Sequence, residues 1–289
     1  MWFFYALFFA IWGGLGIIIA KSRFKEIPSP AVPFLVLSFA LPSILLILIS
    51  TSGIPSVTPQ YFQYVFASGL LDSIAFVLAF LAIKRSDVSL IAPLSSFSPV
   101  LTTVVAIFAL NEIPSPFKLT GIILVVVGAY LLNLTEIKKG ILNPFKKLFS
   151  NKGVWLFLGS ICLWAITPIL QKKAILETVP QTPLAASLGG LTVAFLLLLP
   201  VALPLVIKNA KKIKIKLKWF ILYGVGASLS QLAAYTAFSM TNVSYVTTIM
   251  RLESIVIIIL GGKLLHEKKI KQRLLGTIVM VSGALIIAF

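Results

Sequence analysis

Charge is scarce in this chain, and most of it has one sign. Charged residues make up only 11% of the 289 residues, and 25 Lys and Arg stand against 8 Asp and Glu. Soluble globular proteins carry about 25% charged residues, so a soluble globular domain is excluded. Because 59% of the residues are hydrophobic, the composition predicts a polytopic membrane protein.

Cysteine and histidine are almost absent. The single Cys162 lies in an apolar segment and has no partner for an intrachain disulfide. The single His266 lies in a lysine-rich loop, and one His without a Cys cluster makes no metal site. A P-loop, an HExxH helix and a serine-nucleophile motif are also missing. We therefore expect no metal, no cofactor and no enzymatic activity.

Long apolar runs fill most of the chain. A membrane-spanning helix needs about 20 mostly apolar residues, and backbone polar groups in lipid must be satisfied within the segment. The first run has no basic residues before it and no cleavage site, so we expect it to be a retained span. Ten helical spans are predicted, at about 2–20, 31–50, 61–83, 88–109, 117–134, 153–171, 184–207, 218–239, 243–262 and 270–289.

The ten spans divide into two similar sets of five. A shift of 155 residues lays the second half over the first without a gap for about 50 residues. The matched pairs include Ala82 with Ala237, Val88 with Val243, Ser89 with Ser244, Glu112 with Glu267, Lys118 with Arg273, Gly121 with Gly276 and Gly128 with Gly283; a slightly different shift pairs Trp12 with Trp164 and Lys21 with Lys173. Because five is odd, the second set must enter the membrane from the opposite face. We predict an all-α membrane protein with two inverted five-helix repeats, 1–145 and 146–289, around a central cavity.

The segment "SPVLTTVVAIFALNEIPSPFKLTGIILVVVGAYL" resembles the EamA-type repeat of the drug/metabolite transporter superfamily. That repeat has a Pro early in its fourth span, an acid just past the end of that span, and a glycine-rich fifth span; here these are Pro99, Glu112, Gly121 and Gly128. The second half keeps the acid and both glycines, but the family's Glu-Pro in the ninth span stands here as Glu253-Ser254.

The resemblance implies transport and leaves the substrate open, because one fold serves many functions. We expect a secondary transporter that moves a small polar or amphipathic metabolite by alternating access, with export of an amino acid or related solute as the first choice. An exchanger of organic phosphates or nucleotide sugars is the alternative within transport, and a lipid-handling, flippase-like protein is the alternative outside it. Protons or a counter-solute are the expected partners besides membrane lipid.

Basic residues concentrate in the loops that follow odd-numbered spans. These loops hold 21 of the 25 Lys and Arg, so the net charge of +17 reflects membrane topology and predicts no nucleic-acid partner. By the positive-inside rule these loops face the cytoplasm. We therefore expect a multi-pass protein of the cell membrane, with both termini outside, whereas relatives are often drawn with both inside. Two fused repeats also predict a monomer.

Few polar residues lie at membrane depth, and these are the candidate site. The residues predicted to bind substrate are Arg251, Asp72, Trp12, Trp164, Gln231, Tyr235, Ser96 and Thr248, and Glu253 is the predicted coupling group. A charge at the bilayer centre costs about 2.5–3.5 kcal/mol on insertion scales. A carboxyl there that gains and loses a proton can couple transport to a proton gradient.

Arg251 and Glu253 lie near the middle of the ninth span. At about 100° per residue they project about 200° apart around one continuous helix, so they are not expected to pair with each other. Asp72 is the other charge in mid-span, which makes it the natural ion-pair partner of Arg251. That pair is either a bridge that fixes helix packing or an anion-binding site in which Asp72 competes with substrate.

Prolines are also expected to shape the cavity. Pro99 and Pro168 each remove a backbone donor, and inside a helix this produces a kink. The carbonyls that are freed either face a cavity or are satisfied by neighbouring hydroxyls.

Overall fold

The computed structural model describes residues 1–51, 53–86, 94–95, 98–131, 152–264 and 274–288. The helices in these ranges are α1 (Trp2–Arg23), α2 (Ala31–Thr51), α3 (Pro59–Arg85), α4 (Ser98–Leu110), α5 (Pro116–Leu131), α6 (Lys152–Leu176), α7 (Pro183–Lys208), α8 (Ala210–Ile215), α9 (Leu217–Met240), α10 (Val243–Met250), α11 (Glu253–Leu264) and α12 (Leu274–Ala288). Two short strands, β1 (Ser56–Val57) and β2 (Thr178–Val179), pair antiparallel.

Five of these helices are long and apolar enough to cross a membrane: α1, α2, α3, α6 and α7. Shorter apolar stretches lie in α4, α5 and α12. In the first, second, third, sixth, seventh and eighth predicted spans the helix begins and ends within about five residues of the prediction. In the fourth span, α4 begins at Ser98, and most of the predicted span before it lies outside the described residues. The predicted helical membrane protein is therefore confirmed.

The predicted ninth span is not one continuous helix. It divides into α10 and α11, with Arg251 and Leu252 in a turn between them. At the turn, the Arg251 amide donates to the Thr248 carbonyl at 3.1 Å, and the Leu252 amide donates to the Ile249 carbonyl at 3.0 Å. These bonds span three residues instead of four, so the chain tightens as a 3₁₀ helix does. The uniform 100° rotation assumed for this span is therefore wrong.

Pro99 is the second residue of α4, where a missing N–H leaves no bond of that helix broken. Residues 96–97 lie outside the described ranges, so the kink expected at Pro99 stays a prediction. The carbonyl of Pro99 accepts from the Thr103 hydroxyl at 2.7 Å. Pro168, by contrast, lies inside α6 as predicted.

Glycines bring α5 and α12 into backbone contact. A Cβ built on Gly121 would lie 2.8 Å from the Gly283 carbonyl oxygen, and one built on Gly128 would lie 2.8 Å from the Gly276 carbonyl oxygen. Small residues allow helices in lipid to approach this closely. Because the first glycine of one helix meets the second glycine of the other, the two helices run antiparallel.

Packing between the two halves is reciprocal. The helices correspond as α1 to α6, α2 to α7, α3 to α9 and α5 to α12, and α1 packs on α9 just as α6 packs on α3. Gly69 on α3 approaches the Gly190 carbonyl on α7, and Gly224 on α9 approaches the Val36 carbonyl on α2; each built Cβ would lie 2.7 Å from that oxygen. Gly69 and Gly224 are 155 residues apart, so the sequence repeat is also a repeat of contacts.

The helix bundle has two distinct ends. The β end carries β1 and β2, the start of α3 and the end of α6. The lysine end carries the ends of α1 and α7 and the start of α9, where most of the described lysines lie. A stack of Phe24 on Phe220, with ring centroids 4.0 Å apart, joins α1 to α9 near the lysine end.

We predict that Gly128→Ala destabilises the protein, because the new methyl would lie 2.6 Å from the Met280 backbone nitrogen. Overpacking of this kind typically costs about 1–3 kcal/mol. The matched control is Gly159→Ala, whose methyl would meet only a Leu78 methyl at 3.4 Å. Thermal unfolding in detergent should show a lower Tm for the first variant only. An unchanged Tm for Gly128→Ala would contradict the close packing of α5 and α12.

Candidate functional site

A cavity of about 220 Å³ lies inside the bundle. This is below the roughly 300–1,000 Å³ of pockets that bury drug-sized ligands, so its size suits a small solute. The lining residues on α3 run from Asp72 to Ile83, and those on α6 run from Phe157 to Gln171. The lining on α3 thus runs from the middle of that helix toward the lysine end. The lining on α6 crosses the middle of its helix, and the lining on α9 reaches Phe238, close to the end of that helix.

Arg251 and Glu253 form an ion pair at the cavity wall. The Arg251 Nη1 lies 3.1 Å from the Glu253 Oε1, and the Arg251 Nε donates to the Thr247 carbonyl at 3.4 Å. The expectation that these two residues would not pair is wrong. Because the helix breaks at Arg251 and Leu252, the two side chains no longer project to opposite sides.

Asp72 lies near the middle of α3 and is only 3% exposed. Its Oδ2 accepts from the Gln171 Nε2 at 3.1 Å, and the Thr167 hydroxyl and the Trp164 indole N–H are also within hydrogen-bonding reach. The predicted pair of Arg251 with Asp72 is thus corrected. Arg251 is bound to Glu253, and the carboxylate of Asp72 is held by neutral donors of α6.

The other predicted site residues divide into two groups. Trp12, Trp164 and Gln231 line the cavity together with the three charged residues. Tyr235 does not line it, because its ring is fully buried beside Gly190 of α7. Thr248 does not line it either, because its hydroxyl donates to the carbonyl one turn earlier at 2.6 Å. Ser96 lies outside the described residues.

Several lining residues were absent from the predicted site. Polar and aromatic examples are Gln171, Thr167, Ser230, Thr247, Tyr223 and Phe76. A signal for two of them was available: Trp164, Thr167 and Gln171 recur at helical spacing on one face of α6. Within the described ranges no three His, Cys, Asp or Glu side chains come together as a metal site requires.

Glu112 and Lys172 close the β end. The Lys172 Nζ lies 2.5 Å from the Glu112 Oε1 and donates to the Thr241 carbonyl at 2.7 Å. The Val243 amide, at the start of α10, donates to the Glu112 Oε2 at 2.6 Å. A carboxylate is favourable at a helix N-terminus because of the helix dipole. This cluster joins the end of α4 to α6 and to the connection between α9 and α10.

The β end has further cross-links between α3 and the second half. The Thr58 hydroxyl donates to the Glu177 carboxylate at 2.6 Å, and the Tyr61 hydroxyl donates to the Ala185 carbonyl at 2.8 Å. The pairing of β1 with β2 lies beside them. These contacts tie α3 to the second half at the β end.

The two ends share one kind of contact. At the lysine end, the Lys21 Nζ donates to the Ile83 and Ser86 carbonyls at 2.7 and 2.8 Å. At the β end a similar bond runs from Lys172, the neighbour of the Lys173 that matches Lys21, to the Thr241 carbonyl, and Thr241 follows Ser86 by 155 residues. The contact repeat seen in the packing thus extends to the polar contacts at the helix ends.

The sequence profile of the EamA-like transporter family matches residues 1–134 and 151–289. The chain belongs to the EamA-like transporter family. It is also 26% identical, over 131 residues, to an uncharacterized protein of Methanocaldococcus jannaschii, a match that covers 45% of this chain and 94% of that protein. That relative is therefore about as long as one half of this chain.

A solved crystal structure of a protein matches the fold with a TM-score of 0.65. The match covers 97% of this chain and 98% of the other, at 12% sequence identity. At that identity the likeness concerns the fold alone. As an EamA-like family member with five long apolar helices, the chain is a multi-pass membrane protein of a transporter family.

Because Arg251 and Glu253 form an ion pair, we predict that the effects of Arg251→Met and Glu253→Gln on the free energy of unfolding are strongly coupled. Each single variant should lower the free energy of unfolding, because it leaves a partner of a nearly buried pair without its counter-charge. The double variant should lose less than the sum, with a coupling energy of about 0.5–3 kcal/mol. Unfolding in detergent measures all three. The control is the double-mutant cycle of Arg251→Met with Asp72→Asn, in which the two losses of unfolding free energy should add. Additive losses in the first cycle together with coupling in the control cycle would show that Arg251 pairs with Asp72 instead.

Proposed function

We propose that the protein is a secondary transporter that moves a small polar or amphipathic metabolite by alternating access. The observation that carries this proposal is the cavity inside the bundle, which is lined by both halves of the chain and holds three charged side chains, Asp72, Arg251 and Glu253. Because the sequence has no P-loop, the driving force is a gradient or an exchanged solute.

Ten helices in two inverted five-helix repeats, 1–145 and 146–289, form the proposed architecture. The antiparallel contact of α5 with α12 and the reciprocal glycine contacts support it. Both chain ends also contact the β end: Trp2 packs on Tyr245, and the Lys118 side chain donates to the Ile287 carbonyl at 2.9 Å. In such transporters the substrate binds where the repeats meet, near the midplane. A cavity complete within one chain supports a monomer.

We place the lysine end in the cytoplasm and the β end, with both termini, outside the cell membrane. The excess of Lys and Arg at one end supports this orientation. We propose that the cavity loads from the lysine end, and in this orientation that means export. An amino acid or related solute fits its volume and its mixture of charged and aromatic groups.

Within the cavity we assign substrate contact to Asp72, Trp12, Trp164 and Gln231, and to Arg251 only when Glu253 has released it. Glu253 is the proposed coupling group, since a proton on its carboxyl would release Arg251 from the pair. Exchange of organic phosphates is the weaker alternative, because the one basic residue among the described lining residues is already paired with Glu253.

The direct test uses proteoliposomes loaded with an equimolar mixture of the protein amino acids. Release into acidic and neutral buffer is followed by mass spectrometry. We expect the wild-type protein to release a small subset faster than empty liposomes do, and Trp164→Ala to abolish this release. Cys162→Ala, at an exposed position that is not among the described lining residues, is the control and should retain it.

The same assay also tests whether Glu253 couples transport to a proton gradient. Glu253→Gln should still release solute but lose the dependence on the pH gradient. Full pH dependence in this variant would exclude Glu253 as the coupling group, and release equal to that of empty liposomes in the wild-type protein would argue against amino acid export.

A further inference from the structure

We propose that the cavity selects its solute by a positively charged amine that binds the carboxylate of Asp72, and that a carboxylate on the solute is not required. This inference rests on the proposed function and names the chemical class that the cavity accepts: an organic ammonium ion with an apolar body. It follows from the charges, the hydrogen bonds and the aromatic rings of the described lining residues.

Arg251 is not available as a free anion site. Its Nη1 is 3.1 Å from the Glu253 carboxylate, and its Nε is directed to the Thr247 carbonyl. With Arg251 and Glu253 both charged, the pair contributes no net charge to the cavity. An anionic solute would have to displace Glu253, which would leave that carboxylate buried without its partner.

Asp72, in contrast to Arg251, has a neutral side chain as its hydrogen-bond partner. The Gln171 amide donates to it at 3.1 Å, the neutral side chains of Thr167 and Trp164 line the same cavity, and Asp72 is only 3% exposed. Among the described lining residues the charged side chains are Asp72, Arg251 and Glu253, so the ionised cavity has one excess negative charge. A charge at membrane depth calls for a counter-charge, and the solute is the group that can supply it.

The rings beside Asp72 suit the same ligand. Phe76 is one helical turn beyond Asp72 on α3, and its ring meets the Trp164 ring edge to face, with centroids 5.7 Å apart and planes at 72°. Both rings line the cavity. The faces of aromatic rings attract organic cations, Trp most strongly. The carboxylate thus provides the ion pair, and the two rings provide a wall for the apolar part of an amine.

The test compares three probes that share one body and differ in the end group: 3-phenylpropylamine, 3-phenylpropanol and 3-phenylpropanoate. Binding to the purified full chain in detergent is measured by calorimetry at neutral pH. We expect the amine to bind at least about tenfold more tightly than the alcohol and the carboxylate, which corresponds to about 1.4 kcal/mol. Asp72→Asn should bring the amine and the alcohol to equal affinity.

Two further variants make the result specific. Glu177→Gln removes a carboxylate at the β end, outside the described lining, and should leave the preference for the amine unchanged. Glu253→Gln releases Arg251 and should raise the affinity for 3-phenylpropanoate severalfold. If Asp72→Asn does not fold, the order of the three probes on the wild-type protein still decides the matter.

Equal binding of the three probes, tighter binding of 3-phenylpropanoate, or no binding of the amine would each overturn the inference. These outcomes are distinct from failure of the proposed function. If the wild-type protein prefers the amine but releases no solute from proteoliposomes, the inference about the amine site stands and the proposed transport function is contradicted. If the protein releases amino acids but prefers the carboxylate probe, the transport function stands and the inference about the amine site is contradicted.

Discussion

Charged side chains inside the apolar interior of a membrane must find their hydrogen-bond and ion-pair partners within the protein. The arrangement of the helices around the cavity depends on this constraint. Lipid cannot hydrate Asp72, Arg251 or Glu253, so each must find its partner within the bundle. The turn between α10 and α11 brings Arg251 and Glu253 together at 3.1 Å, and α6 supplies the amide that holds Asp72. Both arrangements line the cavity.

The two halves share their helix-packing contacts but not the charged residues of the cavity. Glycine contacts and the lysine-to-carbonyl bonds recur in both halves. The positions of the first half that match Arg251 and Glu253 by the shift of 155 residues are Ser96 and Ser98. The ion pair therefore belongs to the second half alone, and Asp72 belongs to the first half alone. This asymmetry separates the proposed coupling carboxyl from the proposed amine site.

Span lengths and the candidate charges could be predicted from the sequence, because apolar runs and isolated charges are local features. The pairing of the charges could not, since it depends on a two-residue turn that hydropathy does not reveal. For the same reason Gln171 was missed: its amide matters only because α3 and α6 pack side by side. Tyr235 and Thr248 had the expected residue types, but their helix rotation directs them into packing or onto the backbone.

A sided labelling experiment tests the central claim most directly, namely that the cavity connects to the lysine end and is shut at the β end. Gln231→Cys in a Cys162→Ala background places one thiol in the cavity wall, and a small membrane-impermeant methanethiosulfonate is added to right-side-out or inside-out vesicles. Single cysteines at Ser56, exposed on β1, and at Lys211, exposed on α8, report which end faces the reagent. We predict that the cavity thiol reacts when Lys211→Cys reacts and is protected when Ser56→Cys reacts. Reaction from the β end, with protection from the lysine end, would contradict this arrangement.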